Sequence, residues 1–353
     1  MHPILQMIIA FLMSGYLVYT SIPVIVHISK AKNLFDYPNK RRVNDKPIPN
    51  LGGIALFIGI SISTLLSVYK LPFLDMHYIT VAMIIMFFVG LKDDILILSH
   101  KRKFAAQFVS ALILIIPGDI RLTNLEGLLG IYGLNYVSSV IISLLVIVAI
   151  INAANLIDGI DGLAAGLSLM VTVFFGFSFI LLGQNQYAIL CFAIAGSLIM
   201  FLFFNVFGGK NKIFMGDTGS LILGVLFASL FIRYNEVPIV PNYETGSSMM
   251  ALSIAIMFVP LFDMARVFFS RILRGKSPFL PDKNHIHHKF LDAGFSHLQS
   301  SILILVINLS VLGLMYVLRF QNINILFILL LVLGCILPYC PAIFKMKILK
   351  KTI

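Results

Sequence analysis

Runs of about 15 to 24 apolar residues recur along this 353-residue chain from one end to the other, each near the length of ~20 residues that a helix needs to cross roughly 30 Å of hydrocarbon. Read as helices, they predict spans near 4–27, 51–69, 78–91, 104–117, 134–151, 163–182, 188–206, 219–233, 248–270, 301–319 and 324–341. That is an all-α polytopic membrane protein of about eleven crossings. Hydrophobic residues make up 59% of the chain, charged residues only 12%, and the mean hydropathy is +0.99. Such a balance excludes a soluble fold. Nothing between the spans is long enough for a separate soluble domain, so residues 1–353 are expected to form one integral-membrane domain. No Lys or Arg precedes Lys30. A secretory leader would open on a basic stretch, so the first segment is expected to stay as a helix.

The formal net charge of +11 raises the question of nucleic acid, and the placement of the charges answers it. With connections numbered alternately, only Lys70, Arg121, Arg233, Arg266 and Arg319 fall outside one set of loops. That set holds the other 21 of the 26 Lys and Arg. The positive-inside rule then predicts the N-terminus outside and the C-terminus in the cytoplasm, with anionic headgroups rather than nucleic acid as partner. The carboxylates, which played no part in that assignment, follow it. Asp36, Asp45, Asp93, Asp94, Asp158, Asp161, Asp217, Asp263, Asp282 and Asp292 map to the cytoplasmic loops or adjoining helix ends, and Glu126, Glu236 and Glu244 to the outer side. Cys191, Cys335 and Cys340 sit in apolar spans without metal-ligand or paired spacing and read as small core residues.

Four constellations carry chemistry. Gly90-Leu91-Lys92-Asp93-Asp94 puts adjacent carboxylates at the end of the short third span, in a loop expected at lipid-phosphate depth. Unpaired anions there need a cation, either a metal or Lys103. In Asn152-Ala153-Ala154-Asn155-Leu156-Ile157-Asp158-Gly159-Ile160-Asp161-Gly162 a helix would align Asn152, Asn155 and Asp158 three apart, with Asp161 extending the stripe. Amide and carboxylate oxygens so aligned suit Mg2+, which keeps several waters and takes few protein ligands. Phe214-Met215-Gly216-Asp217-Thr218-Gly219-Ser220 sets one carboxylate between glycines before a helix, where free N–H groups favour an anion, although Asp-Thr is also an ordinary helix start. Asp263 and Arg266 stand one turn apart ahead of the loop Asp282-Lys283-Asn284-His285-Ile286-His287-His288-Lys289. No His-Glu-x-x-His and no Cys set accompanies those histidines, so phosphate recognition fits them better than zinc. Carboxylates for a hard cation and basic groups for phosphate, on one face of a membrane, imply phosphoryl transfer between a soluble nucleotide and a lipid.

With these motifs in place, the chain resembles the polyprenyl-phosphate N-acetylhexosamine-1-phosphate transferase family over nearly all of its length. The resemblance rests on Pro47-Ile48-Pro49-Asn50-Leu51-Gly52-Gly53, Asp93-Asp94, Asn152 to Gly162, Phe214 to Ser220 and His285-Ile286-His287-His288. It implies an enzyme of the bacterial plasma membrane that moves a sugar-1-phosphate from a UDP-sugar to polyprenyl (undecaprenyl) phosphate at the start of envelope polysaccharide synthesis, releasing UMP. The implied cofactor is Mg2+, with Mn2+ as a substitute, and a second copy of the chain is a candidate partner. By resemblance Asp217 and Asn155 hold the metal, while Asp93 and Asp94 hold or activate the acceptor phosphate beside Lys103. Asn152, Asp158 and Asp161 go to the substrate, the two aspartates lining the nucleotide pocket. Arg266, His285, His287 and His288 engage diphosphate or sugar. Ile286 interrupts the three consecutive histidines of the peptidoglycan branch, which favours GlcNAc-1-phosphate over phospho-MurNAc-pentapeptide. Direct attack by the lipid phosphate is the favoured mechanism, since a phosphate with a second pKa near ~6 is already largely ionised at neutral pH. A covalent phosphosugar on Asp93 or Asp94 is the competing scheme. From other classes, an ion-coupled transporter would place its charges near the midplane of repeated, broken helices, and neither feature is visible in the sequence. A pyrophosphatase-like hydrolase would release sugar phosphate without a lipid acceptor.

Overall fold

A computed structural model describes residues 2–35, 47–68, 75–96, 98–237, 248–275 and 284–349. Of the charged residues named above, Asp36, Asp45, Lys70, Glu244, Asp282 and Lys283 lie outside the described residues. The chain is mostly helical: α1 (Pro3–Ala31), α2 (Gly52–Ser67), α3 (Met76–Leu96), α4 (His100–Ile115), α5 (Tyr136–Leu156), α6 (Leu163–Leu181), α7 (Asn185–Phe207), α8 (Gly216–Glu236), α9 (Met249–Ile256), α10 (Phe258–Leu273), α11 (Ile286–Asp292), α12 (His297–Leu318), α13 (Ile323–Ile336) and α14 (Cys340–Leu349). Among the described residues, seven helices are long and apolar enough to cross a membrane: α1, α5, α6, α7, α8, α12 and the stretch Ile323–Lys345 that runs on from α13. The α9–α10 pair, bent by 76°, makes an eighth if counted as one span. The protein is therefore a multi-pass membrane protein.

α8 runs through the middle, buried without a break from Thr218 to Ile232 and packed by α3, α5, α2 and α6. α1 packs on α7 through small residues: a Cβ on Gly15 would meet the Gly196 carbonyl oxygen at 3.3 Å. Such close backbone approach is how helices associate where lipid removes the usual hydrophobic drive. The outward stripes, such as Ile4, Ile8, Leu12 and Tyr16 of α1, stay apolar and exposed, as a lipid-facing surface requires.

Three expectations change. First, Asp93 and Asp94 are not in a loop, because α3 continues through Leu96. No Gly or Pro follows Gly90 to stop the helix before α4 begins at His100. Second, the chain is not wholly α: a short antiparallel hairpin, β1 (Asn124–Leu128) and β2 (Ile131–Gly133), joins α4 to α5. Its turn holds Leu129 at φ 55° and Gly130 at φ 79°. Third, the apolar run 248–270 breaks at Met257. Pro260 has no N–H to give the Ile256 carbonyl four residues back. Asn308 of α12 supplies the bond instead, its Nδ2 donating to Ile256 O at 2.8 Å while its Oδ1 accepts from Val259 N at 3.0 Å. A fully buried amide thus satisfies the backbone that the proline leaves open.

One end of the bundle gathers the C-terminal ends of α1, α3, α5 and α7 with the N-terminal ends of α2, α4, α6 and α8. The opposite end carries a separate polar set, in which Glu126 of the hairpin accepts from Ser248 Oγ at 2.7 Å and Met250 N at 3.1 Å, capping α9. There too Arg233 pairs with Asp75 at 3.0 Å.

Candidate active site

Helix ends expose backbone groups and permit charge, so the chemistry-bearing residues collect at the first of these ends. Asp93 near the end of α3 and Asp217 in the first turn of α8 both reach the ammonium of Lys103 in the first turn of α4. The Asp93 contact is 2.6 Å and the Asp217 contact a close hydrogen bond. Asp93 also accepts from Leu98 N at 2.5 Å. On the far side of Asp217, Asn155 at the end of α5 donates Nδ2 to its Oδ1 at 2.7 Å and to Ser220 Oγ at 2.8 Å. Two carboxylates, one amide and one lysine from four helices therefore share one small volume. Asp94 turns away from it, toward the start of α8.

The Pro47–Gly53 segment is the scaffold for this arrangement. Phe214 N donates to Pro49 O at 2.8 Å, and Gly52 N and Gly53 N donate to Phe214 O and Met215 O, both at 2.9 Å. A Cβ on Gly53 would lie 2.6 Å from the Thr218 side chain, so only glycine allows the starts of α2 and α8 to lie this close.

The expected stripe along 152–161 ends early, because α5 stops at Leu156 and leaves Asp158 and Asp161 in the following turn. Asn152 binds Gln107 of α4 reciprocally, giving Nδ2 to Gln107 Oε1 at 2.8 Å and taking Gln107 Nε2 at 3.4 Å. Gln107 is 2% exposed, so the pair registers α4 against α5 one turn below Lys103 and Asn155. Asp161 meets Lys212 Nζ at 2.7 Å and lies 3.4 Å from His297 Nδ1. Burial opposes its charge, yet the neighbouring His297 and the bonded Lys212 hold its carboxyl below the ordinary range. Asn205 ties this turn to the approach to α8, accepting from Gly162 N at 2.7 Å and donating to Ile213 O at 3.0 Å.

Asp263, 2% exposed, organises the histidine segment. It accepts from Ile286 N at 3.1 Å and Arg266 Nη2 at 2.7 Å, and faces His285 Nδ1 at 2.8 Å. Arg266 also donates to the Asn284 carbonyl. His285 and His287 are stacked nearly parallel, with ring centroids 5.9 Å apart, and both are buried, while His288 is half-buried. Burial first, then the neighbouring His288 and His285, pushes the His287 imidazolium down to about 3, so this ring is neutral at physiological pH.

His287 lies directly on Gly159 of the 152–162 motif: a Cβ there would meet ring atoms Cε1 at 2.7 Å and Cδ2 at 2.9 Å. Two motifs more than a hundred residues apart thus share one contact. Gly159→Ala is expected to displace His287 at a strain of about 1–3 kcal/mol, read as a lower midpoint of thermal unfolding in detergent. An unchanged midpoint would show that the His287 ring does not press on Gly159.

A match to the family model described as glycosyl transferase family 4 spans residues 76–235, from the start of α3 almost to the end of α8. Over 86% of this chain and 82% of its own length, a Bacillus subtilis protein named as a probable undecaprenyl-phosphate N-acetylglucosaminyl 1-phosphate transferase is 33% identical. The chain belongs to this transferase family. Proteins named undecaprenyl-phosphate alpha-N-acetylglucosaminyl 1-phosphate transferase from Yersinia pestis and Salmonella typhi are 30% and 29% identical, each over 85% of this chain and covering 80% and 79% of their own lengths. As a family 4 member, the protein is a membrane-embedded phosphotransferase. The matched region contains Asp93, Lys103, Asn155 and Asp217, so the four-helix cluster lies within the part of the chain that the family model matches.

Proposed function

We propose that this transferase moves GlcNAc-1-phosphate from UDP-GlcNAc onto undecaprenyl phosphate, releasing UMP. The observation that carries the reading is the single cluster in which Lys103 bridges Asp93 and Asp217 with Asn155 beside them. The names of the relatives supply the acceptor and the sugar. Among the described residues no group of three His, Cys, Asp or Glu is arranged to hold a metal. The donor set nevertheless suits Mg2+, because two carboxylates already gathered round one cation, with an amide adjacent, are what an ion bound largely by water and substrate phosphate needs. Asp217 and Asn155 would hold it, with Asp93 beside the acceptor phosphate, and it would supply charge neutralisation for the donor phosphates.

The protein's own groups do the rest. Lys103 offsets the anions that meet when a lipid phosphate and a nucleotide diphosphate share this volume. An oxygen of the lipid phosphate forms a bond to the β-phosphorus, the bond from that phosphorus to the bridging oxygen breaks, and UMP leaves with the electron pair. The acceptor is already ionised at neutral pH, so a strong general base is unnecessary. The turn at Asp158 and Asp161 would take the nucleoside, and the segment from His285 to His288 with Arg266 the diphosphate or sugar. Purified protein incubated with undecaprenyl phosphate, Mg2+ and separate UDP-sugars should give lipid-linked product and UMP with UDP-GlcNAc. Product from a different UDP-sugar alone would reassign the donor.

The eleven-crossing topology, with the N-terminus outside, the C-terminus inside and the site facing the cytoplasm, belongs to the same proposal. It is supported by the alternation of helix ends around the site and by the distribution of Lys and Arg. α2, α3 and α4 are the shorter or more charged crossings that it adds. In a variant lacking the native cysteines, Lys210→Cys is expected to react with an impermeant maleimide only from the cytoplasmic side, and Leu129→Cys at the hairpin tip, where Leu129 is 77% exposed, only from outside. Labelling of both from one side would refute the topology.

A further inference from the structure

We propose that the adjacent carboxylates have different duties. Asp93 belongs to the reacting centre, and Asp94 is a positioning residue that fixes the start of α8 and through it the carboxylate of Asp217. The inference rests on the transfer reading above. Both residues lie on helical α3, where neighbours point about 100° apart at 3.6 residues per turn, so the two side chains leave the helix in different directions. Asp93 takes the Lys103 ammonium and Leu98 N.

Asp94 takes the first turn of α8. Its Oδ1 accepts from Asp217 N at 2.9 Å, and its Oδ2 accepts from Thr218 N at 2.9 Å and Thr218 Oγ1 at 2.5 Å. Asn50 Nδ2 stands 3.5 Å from Oδ1. Met215, the residue that precedes α8, gives no side-chain cap, so the free N–H groups of the first turn depend on a carboxylate from another helix. A carboxylate is also the charge that a helix N-terminus favours. With four donors on its two oxygens, the roughly four acceptor sites of this carboxylate are occupied, which leaves it nothing to offer a phosphate or a cation.

The surrounding glycines are consistent with a built contact. Gly90, one turn before Asp94 on the same face, allows the approach of the helices, since a Cβ there would sit 2.5 Å from Thr218 Cα. Gly216 adopts φ 69°, where side chains are strained, and a Cβ would lie 2.6 Å from Asp94 Oδ2. Asp94 thus places the very backbone unit, Asp217, whose side chain meets Lys103 and Asn155.

The test compares Asp93→Asn, Asp94→Asn and Asp94→Ala in the purified full-length enzyme, measuring turnover against Mg2+ concentration together with thermal unfolding in detergent. An asparagine keeps one of the two accepting oxygens and sets an NH2 group against a donor, so Asp94→Asn should raise the Mg2+ half-saturation while saturating Mg2+ restores turnover to within about tenfold of wild type. Asp94→Ala should raise the Mg2+ half-saturation several-fold, a shift that mere loss of folded protein would not produce. Asp93→Asn should lose about a hundredfold at every Mg2+ concentration. Asp94→Asn as inactive as Asp93→Asn, with normal unfolding, would overturn the division of labour. So would an Asp94→Ala enzyme whose Mg2+ half-saturation does not move. A wild-type enzyme that makes no lipid-linked sugar phosphate in the same assay would instead defeat the transfer reading.

Discussion

Replacing Lys103 with Met is expected to lower kcat about a thousandfold, in line with removing a preorganised charge from the point where charge develops. The side chain is mostly enclosed, at 18% exposure, and its ammonium meets Asp93 and Asp217 together. Methionine keeps the volume and leaves two carboxylates with no fixed counter-charge. The same change frees those oxygens from competition with the ammonium, so affinity for divalent cations should hold or rise while turnover falls. Arginine should restore only part of the rate, because its planar fork cannot sit between two carboxylates as a point charge does. Kinetics across a Mg2+ series measure both effects. A Met variant within tenfold of wild type would take Lys103 out of the reacting centre.

Asp217→Asn should be at least as severe. Asp217 is the residue on which Lys103 and Asn155 converge, accepting from Asn155 Nδ2 at 2.7 Å on one oxygen and from Lys103 on the other. An asparagine cannot accept on both sides: one of its two polar atoms becomes an NH2 group facing a donor. The loss of charge and the donor clash together are expected to cost at least about a thousandfold in turnover. The protein should remain monodisperse, because Asp94 still caps α8. Near-normal activity of the folded variant at limiting Mg2+ would remove Asp217 from the metal site.

Much of this was legible because lipid makes charge expensive: a carboxylate in a chain that is 59% hydrophobic marks a place where something pairs with it. Asp93 and Lys103 are legible that way, Asn155 through the stripe along 152–161, and Asp217 through its glycine-flanked motif and the family resemblance; the structure joins all four. Gln107, Lys212, His297 and Asn205 escape because their partners are far away in sequence and no short pattern flags them. Two signals were present but unread. The 100° step of a helix already separates Asp93 from Asp94, and Pro260 marks the break that the apolar run conceals. The hairpin escaped because strands of five and three residues carry too little alternation to stand out beside twenty-residue apolar runs.

The central claim is that this cluster transfers a sugar together with its phosphate. The direct measurement follows the β-phosphorus of UDP-GlcNAc, labelled with 32P, through one turnover of the purified enzyme with undecaprenyl phosphate and Mg2+. The account predicts that the label moves into the lipid fraction in proportion to unlabelled UMP released. Label retained in released UDP, with sugar alone on the lipid, would contradict it.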